Sequence, residues 1–266
     1  MKTFKFLIAA LFLTATITQG QSVYVRAGLG GAISTSPQIN NVWSSAGGES
    51  GTIESKRIGY GNGLPFVVAG GYYFGEHFGL ELGVDYFLGL TNKLISDNSS
   101  YTNTTKLSGS MLSVVPAFVM KFDVGRVKPY CRIGLMIGVL NSSNDNSTNN
   151  YSSTEETTEK IYGGIAIGVQ GAIGAELALN NLLSLFGEVN IDGISWAPTK
   201  GKYTKYTYNG VDQLSNMTTK QKSWVYVKSF DETQYIPSSD PDKESLVNYS
   251  FANAGLIVGV KVHFGK

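Results

Sequence analysis

The feature that most constrains this chain is a two-residue alternation whose non-greasy face is built of glycines and carboxylates. Across residues 78–90 the even positions are Phe78, Leu80, Leu82, Val84, Tyr86, Leu88 and Leu90. Between them lie Gly79, Glu81, Gly83, Asp85, Phe87 and Gly89. A period of two belongs to an extended strand whose faces meet different surroundings. A soluble sandwich alternates too, but its polar face points to bulk water and rarely consists of glycine.

The same pattern recurs in residues 23–33, 66–74, 111–122, 130–140, 162–177, 182–194 and 251–264, which predicts eight strands. Connections 75–77, 123–128 and 179–181 are short, whereas 34–63, 91–110, 141–161 and 195–250 are long and polar. Short turns on one side and long loops on the other is the layout of a transmembrane barrel, and about ten residues suffice for a tilted strand to cross a bilayer. Closure leaves no edge unpaired in lipid. The expectation is therefore all-β: an antiparallel up-and-down transmembrane β-barrel of eight strands. Residues 202–208 and 223–230 also alternate, with Asn209-Gly210 as a hairpin signal between them. They read as a hairpin standing above the membrane, or as two further strands making ten. Pro116 falls inside the fourth strand, where it removes a ladder hydrogen bond and predicts a bulge.

Other classes fall away. No internal apolar run is long enough for a helical span, and charged residues reach only 15%, against 32 glycines, 15 tyrosines and 13 phenylalanines. A net charge of +1 offers nothing to a nucleic acid. Cys131 is the only cysteine, which excludes an internal disulfide and a cysteine-based zinc cluster. At the start, Lys2 and Lys5 precede a short apolar stretch and small residues. That is a signal peptide over residues 1–20, cut after Gly20, with the barrel domain over 21–266.

A loose internal repeat relates Tyr24, Arg26, Gly28 and Leu29 to Tyr130, Arg132, Gly134 and Leu135. Both copies start an upward strand with the arginine turned inward. Segments 80–85 and 185–192 likewise place acids inside. Hairpin duplication is the inference.

These residues, with the signal peptide and the segments 24–30, 78–86 and 257–264, resemble the small outer-membrane β-barrel family of the OmpX type and the OmpA transmembrane type. The resemblance implies a Gram-negative outer-membrane location and lipid as a partner. It also implies a C-terminal strand, carrying Gly259, Val262 and Phe264, that is read by the barrel-assembly machinery during insertion.

The predicted lumen gathers Arg26, Lys121, Arg132 and Lys261 with Glu81, Asp85, Glu176, Glu188 and Asp192. Charges away from water should pair, and an eight-stranded barrel is filled by side chains. A plugged, salt-bridged interior is expected; the alternative is a narrow porin-like channel for small solutes. Catalysis would need a histidine with serine or acid at the outer rim, yet His77 falls in a periplasmic turn and His263 at the periplasmic end of the last strand. No metal-ligand spacing and no cofactor motif is present. Function then falls to the loops, in envelope integrity or surface contact with an unidentified extracellular ligand. Tyr206, Tyr208, Trp224 and Tyr226 of the last loop are the candidate contacts, with aromatic stiffening of that loop as the other reading.

Overall fold

The structure, a computed structural model, describes residues 21–36, 38–44, 52–98, 101–150 and 153–264. The expected signal peptide lies outside them. Strand β1 (Gln21–Ser34) leads into β2 (Gln38–Ser44) and β3 (Thr52–Ile58), which pair as a hairpin. Next come β4 (Gly63–Phe74), β5 (Phe78–Gly89) and β6 (Asn92–Asn98), then the long pair β7 (Tyr101–Lys121) and β8 (Val127–Asn150). They are followed by β9 (Thr154–Tyr162), β10 (Ala166–Ala178), β11 (Leu183–Trp196) and β12 (Lys200–Tyr208). The last connection holds β13 (Val211–Asp212), a 3-10 turn, helix α1 (Thr219–Lys222), β14 (Ser223–Val227), β15 (Asp242–Ser245) and β16 (Tyr249–Ser250). The chain then enters β17 (Asn253–Phe264).

Eight of these strands close a ring in the order β1–β4–β5–β7–β8–β10–β11–β17, and β17 pairs back onto β1 from Val23↔Phe264 to Ser34↔Asn253. Each neighbour is antiparallel. The ten-strand alternative is thereby excluded, because β12 and β14 stand outside the ring. Alternation sorts the wall. On β5, Leu80, Leu82, Val84 and Leu88 are exposed, while Glu81, Asp85 and Phe87 are buried. Val23, Ile133, Ile173, Val189 and Leu256 continue the same outward apolar band on other strands. Phe66–Tyr86 and Phe78–Phe118 ring pairs lie on it, and the half-buried Cys131 shares its face.

Three expectations change. The predicted sixth strand, 162–177, begins later, at Ala166: Tyr162 ends β9, and Gly163 and Gly164 beyond it take φ of 79° and 75°. Only glycine adopts such a backbone freely, and the Gly163 carbonyl accepts from Trp196 Nε1 at 2.8 Å. Pro116 causes no bulge. Its side chain faces outward, and the β7–β8 register is the same on both sides of it, with Val114↔Ile137 and Ala117↔Gly134. Finally, the polar segments 91–110 and 141–161 are largely strand rather than loop. The β7–β8 ladder runs on to Tyr101↔Asn150, and β6 and β9 join its two sides.

The result is a second, open sheet above the barrel in the order β3–β2–β6–β7–β8–β9–β12–β14–β15, with β2–β6 and β14–β15 parallel. The hairpin expected at Asn209-Gly210 forms, with both residues at positive φ (50° and 78°) as a two-residue turn requires. Under this sheet the outer mouth of the barrel is filled by an apolar core including Tyr60, Phe87, Met111, Met136, Trp196 and Phe251. Tyr60 stacks on Phe251 at 5.1 Å, and Trp196 meets Phe251 edge-on at 6.3 Å.

Candidate functional site

The lumen is built in layers. In the middle layer Arg26 makes a two-pronged bond to Glu81, Nε to Oε2 and Nη2 to Oε1, both at 2.9 Å. Its third nitrogen reaches Glu188 at 3.2 Å, while Arg132 donates to Glu188 at 2.9 Å and lies 3.6 Å from Glu81. Tyr24 donates to Glu81 at 2.8 Å and Tyr130 to Glu188 at 2.7 Å. All four charged groups are at most 5% exposed. Such a square is tolerable away from water only because each charge meets an opposite one in hydrogen-bonding geometry.

The repeat in the sequence is the repeat in this square. Tyr24 and Arg26 on β1 serve Glu81 on β5 just as Tyr130 and Arg132 on β8 serve Glu188 on β11. The relation extends along the wall. Four residues beyond each glutamate stands an aspartate, Asp85 and Asp192, whose ladder partners are Ser113 and Asn253. Each glutamate faces Ala117 or Ile257, and four residues from those stand Lys121 and Lys261. The barrel is thus two similar four-stranded halves.

At the periplasmic end Lys261 donates to Glu176 at 2.9 Å and to Tyr73 at 3.0 Å, and lies 3.8 Å over the Tyr24 ring. Its counterpart Lys121 sits over Tyr73 at 4.1 Å and has no carboxylate within ion-pair distance among the described residues. His263 also turns inward, its Nε2 2.5 Å from Glu176 and 3.3 Å from Ser184 Oγ. Both contacts use one ring nitrogen, whereas a hydroxyl–imidazole–carboxylate relay needs the two nitrogens separately. His77 is on the exposed turn, bonded to the Lys121 carbonyl.

The upper layer departs from the expected pairing. Asp85 accepts from Gln170 at 3.0 Å and Asp192 from Asn190 at 3.3 Å, both amides rather than bases. Gln170 in turn accepts from Arg132. Neither aspartate has an ion pair among the described residues. Of the nine lumen residues singled out, six pair as charges: Arg26, Arg132, Glu81 and Glu188, with Lys261 and Glu176. Tyr24, Tyr73, Tyr130, Gln170, Asn190 and His263 were missed as partners. All are in phase with the inward residues of their strands, so period two could have found them.

Two lumen cavities of about 10 Å³ each remain, one beside the Arg26–Glu81 pair and one beside the aspartates. Each has room for about one water. Among the described residues no group of three or more His, Cys, Asp or Glu is placed to hold a metal ion.

The open sheet has two unlike faces. The outward face continues the apolar band upward, in phase with Leu112 on β7. It presents Lys93, Lys106, Lys160, Lys202 and Lys205, all exposed. Lys93, Lys106 and Lys205 line a groove of about 400 Å³ with Glu156, which takes a 2.5 Å bond from Lys205. Lys202 lies 5.9 Å from the Tyr162 ring. The inward face carries Tyr203, Trp224, Glu159 and Glu244. Partial burial pushes the Glu244 carboxyl up, and Glu159 and Asp242 push it further. The candidate contacts divide. Tyr208 is 46% exposed, Tyr206 is half-buried, and Tyr226 packs on the mouth core. Trp224 is only 8% exposed, edge-on to Tyr203 at 5.4 Å, so it stiffens the sheet rather than offering a contact.

Gly259, Val262 and Phe264 lie on the closing seam, opposite Gly28, Val25 and Val23. A side chain at Gly28 would come within 2.8 Å of the Phe186 ring, so the paired glycines make room for that ring inside the barrel.

A closed ring of eight antiparallel strands, apolar outside and charged within, defines a transmembrane β-barrel. The chain belongs to the outer membrane protein beta-barrel domain family, whose model matches residues 6–191. Among solved structures it is similar to Neisserial surface protein A, at 16% identity and a TM-score of 0.37, covering 92% of this chain and 100% of that one. It is also similar to Ail, the attachment invasion locus protein of Yersinia pestis, at 8% identity and a TM-score of 0.32, covering 93% and 100%. The fold rests on the ring of pairings and not on these scores. No curated protein matches the chain.

Proposed function

We propose that the protein is exported to the Gram-negative outer membrane with loss of residues 1–20, neither conducts nor catalyses, and acts through its surface sheet in envelope integrity and surface contact. The observation that carries this reading is the row of exposed lysines on the outward face. Lys106 stands six residues above Leu112 of the apolar band, roughly 20 Å along the strand at about 3.3 Å per residue. With strand tilt, that height falls among headgroups and inner sugars rather than in bulk water. Basic residues there attract anionic phosphates, each worth roughly 1 kcal/mol near a charged surface. On this reading the sheet fastens to the phosphorylated lipid around the barrel, and its tip, with Tyr208 and the Asn209-Gly210 turn, is left free to meet other surfaces.

The test is co-sedimentation of the folded, detergent-held protein with purified lipopolysaccharide, beside planar-bilayer conductance. Binding that falls with salt, and falls at least severalfold in a Lys106→Glu/Lys160→Glu/Lys205→Glu variant, supports the reading. Undiminished binding by that variant overturns the role of the basic face. Discrete conductance steps overturn the closed lumen.

A further inference from the structure

The upper lumen holds two buried carboxylates that make no ion pair among the described residues. In the middle layer two arginines meet two glutamates, and below it Lys261 meets Glu176. Asp85 and Asp192, 9% and 6% exposed, meet only amide hydrogens from Gln170 and Asn190. Two carboxylates at equivalent places in the two halves therefore face one another's region of the lumen without a base in ion-pair contact. Burying even one uncompensated carboxylate is costly, and two near each other more so.

A second observation is independent of that count. Around the aspartates, Asp192 Oδ1, Ser113 Oγ, Asn190 Oδ1 and Asn253 Oδ1 are all buried without a hydrogen-bond partner. Their residues are at most 6% exposed. Every one of these unpartnered atoms is an oxygen. Orphaned acceptors are rare in protein interiors, and several together call for a positive group or donor. Asp85, Asp192, Ser113, Asn190 and Gln170 line one cavity of about 10 Å³, the room of a single water or a single ion.

We propose that this cavity is a binding site for one divalent cation of the calcium type, held by the carboxylates of Asp85 and Asp192 with the oxygens of Ser113 and Asn190. Hard cations take six to eight oxygen ligands from carboxylates, amide carbonyls, hydroxyls and water, which is the donor set here. A charge of two matches the two uncompensated carboxylates. A neutral water would satisfy donors and acceptors but leave the charge. A proton on one carboxylate would remove part of the charge but leave oxygens unmet. The mouth core of Tyr60, Trp196 and Phe251 lies directly above, so the ion is taken up as the barrel closes and exchanges slowly afterwards.

The experiment uses the chain refolded in nonionic detergent free of lipopolysaccharide, once with calcium and once with chelator. Calcium uptake is measured by equilibrium dialysis and the heat-induced gel shift by a temperature series. The expected result is about one calcium per chain, a higher midpoint for the calcium form, and loss of uptake in Asp85→Asn/Asp192→Asn, which keeps the shape and removes the charge. Lys205→Glu, on the surface sheet, should leave uptake unchanged, which separates this site from the lipid contact. Absence of uptake by the unmodified chain, with a midpoint indifferent to chelator, overturns the proposal in favour of a shared proton. Uptake that persists in the double variant overturns it in favour of binding elsewhere. Should the variant fail to refold, Ser113→Ala, which removes one neutral ligand, is expected to weaken uptake about tenfold. Unchanged affinity in Ser113→Ala would also count against the site.

Discussion

The barrel wall and the surface sheet share two strands and almost nothing else. β7 and β8 run through both without a break in register, from Tyr101↔Asn150 to Lys121↔Tyr130. Below Ser110 their residues alternate between lipid and lumen; above it, serines, threonines and asparagines fill both faces. The backbone is the same and the hydropathy is not. Alternation therefore records that the two faces of a strand meet different solvents, and it vanishes where both meet water even though pairing continues. The wall is closed, so each of its strands has two partners; the sheet is open and has edges at β3 and β15.

Changes placed in the two regions should part company sharply. Glu188→Ala leaves Arg26 and Arg132 sharing one carboxylate, and we expect a loss of about 3–5 kcal/mol in equilibrium unfolding from detergent. A loss under about 1 kcal/mol would mean that the square contributes little. On the lipid face Leu82→Arg should cost roughly 2–4 kcal/mol in the same measurement. Thr104→Arg, on the outward face of the sheet, should stay within about 0.5 kcal/mol. Equal costs would erase the distinction between the regions. Trp224→Ala should leave the heat-induced gel shift where it is and lower amide protection in β12 and β14 by about tenfold, since the two regions open separately.

The smallest effect concerns acidity. The Glu244 carboxyl is held above the ordinary glutamate value of about 4.3. The folded sheet then binds the proton more tightly than the unfolded one, so stability falls as pH rises from that ordinary value to the raised one, and recovers on acidification. The protection of β15, taken relative to the intrinsic exchange rate at each pH, should rise modestly on acidification toward the ordinary glutamate value, and the trend should disappear in Glu244→Gln. Protection that weakens on acidification in the unmodified chain would contradict the sign.

This contrast also decides what could be read in the sequence. All eight wall strands were legible, because Leu82 beside Glu81, or Val258 beside Gly259, declares two solvents at once. Of the surface sheet only β12, β14 and the Asn209-Gly210 turn were, since Thr102, Thr104 and Thr105 declare only water. Inside the lumen, Arg26 and Glu188 were legible as charges. Their tyrosine partners shared the inward phase but were not singled out, because Tyr24 and Tyr130 carry no charge that asks for a partner. The equal pairing expected of Asp85 and Asp192 failed for a different reason. Counting charges gives totals, whereas layering along the axis decides which ones meet.

The seam between β1 and β17 joins Val23 to Phe264 although nearly the whole chain lies between them. A circumference closed in this way is quantised. A chain lacking its last strand is not a narrower tube but a curled ribbon with two raw borders in oil, where unpaired amides are intolerable. Insertion and completion are for this molecule a single event, and the ribbon has no partial success to fall back on.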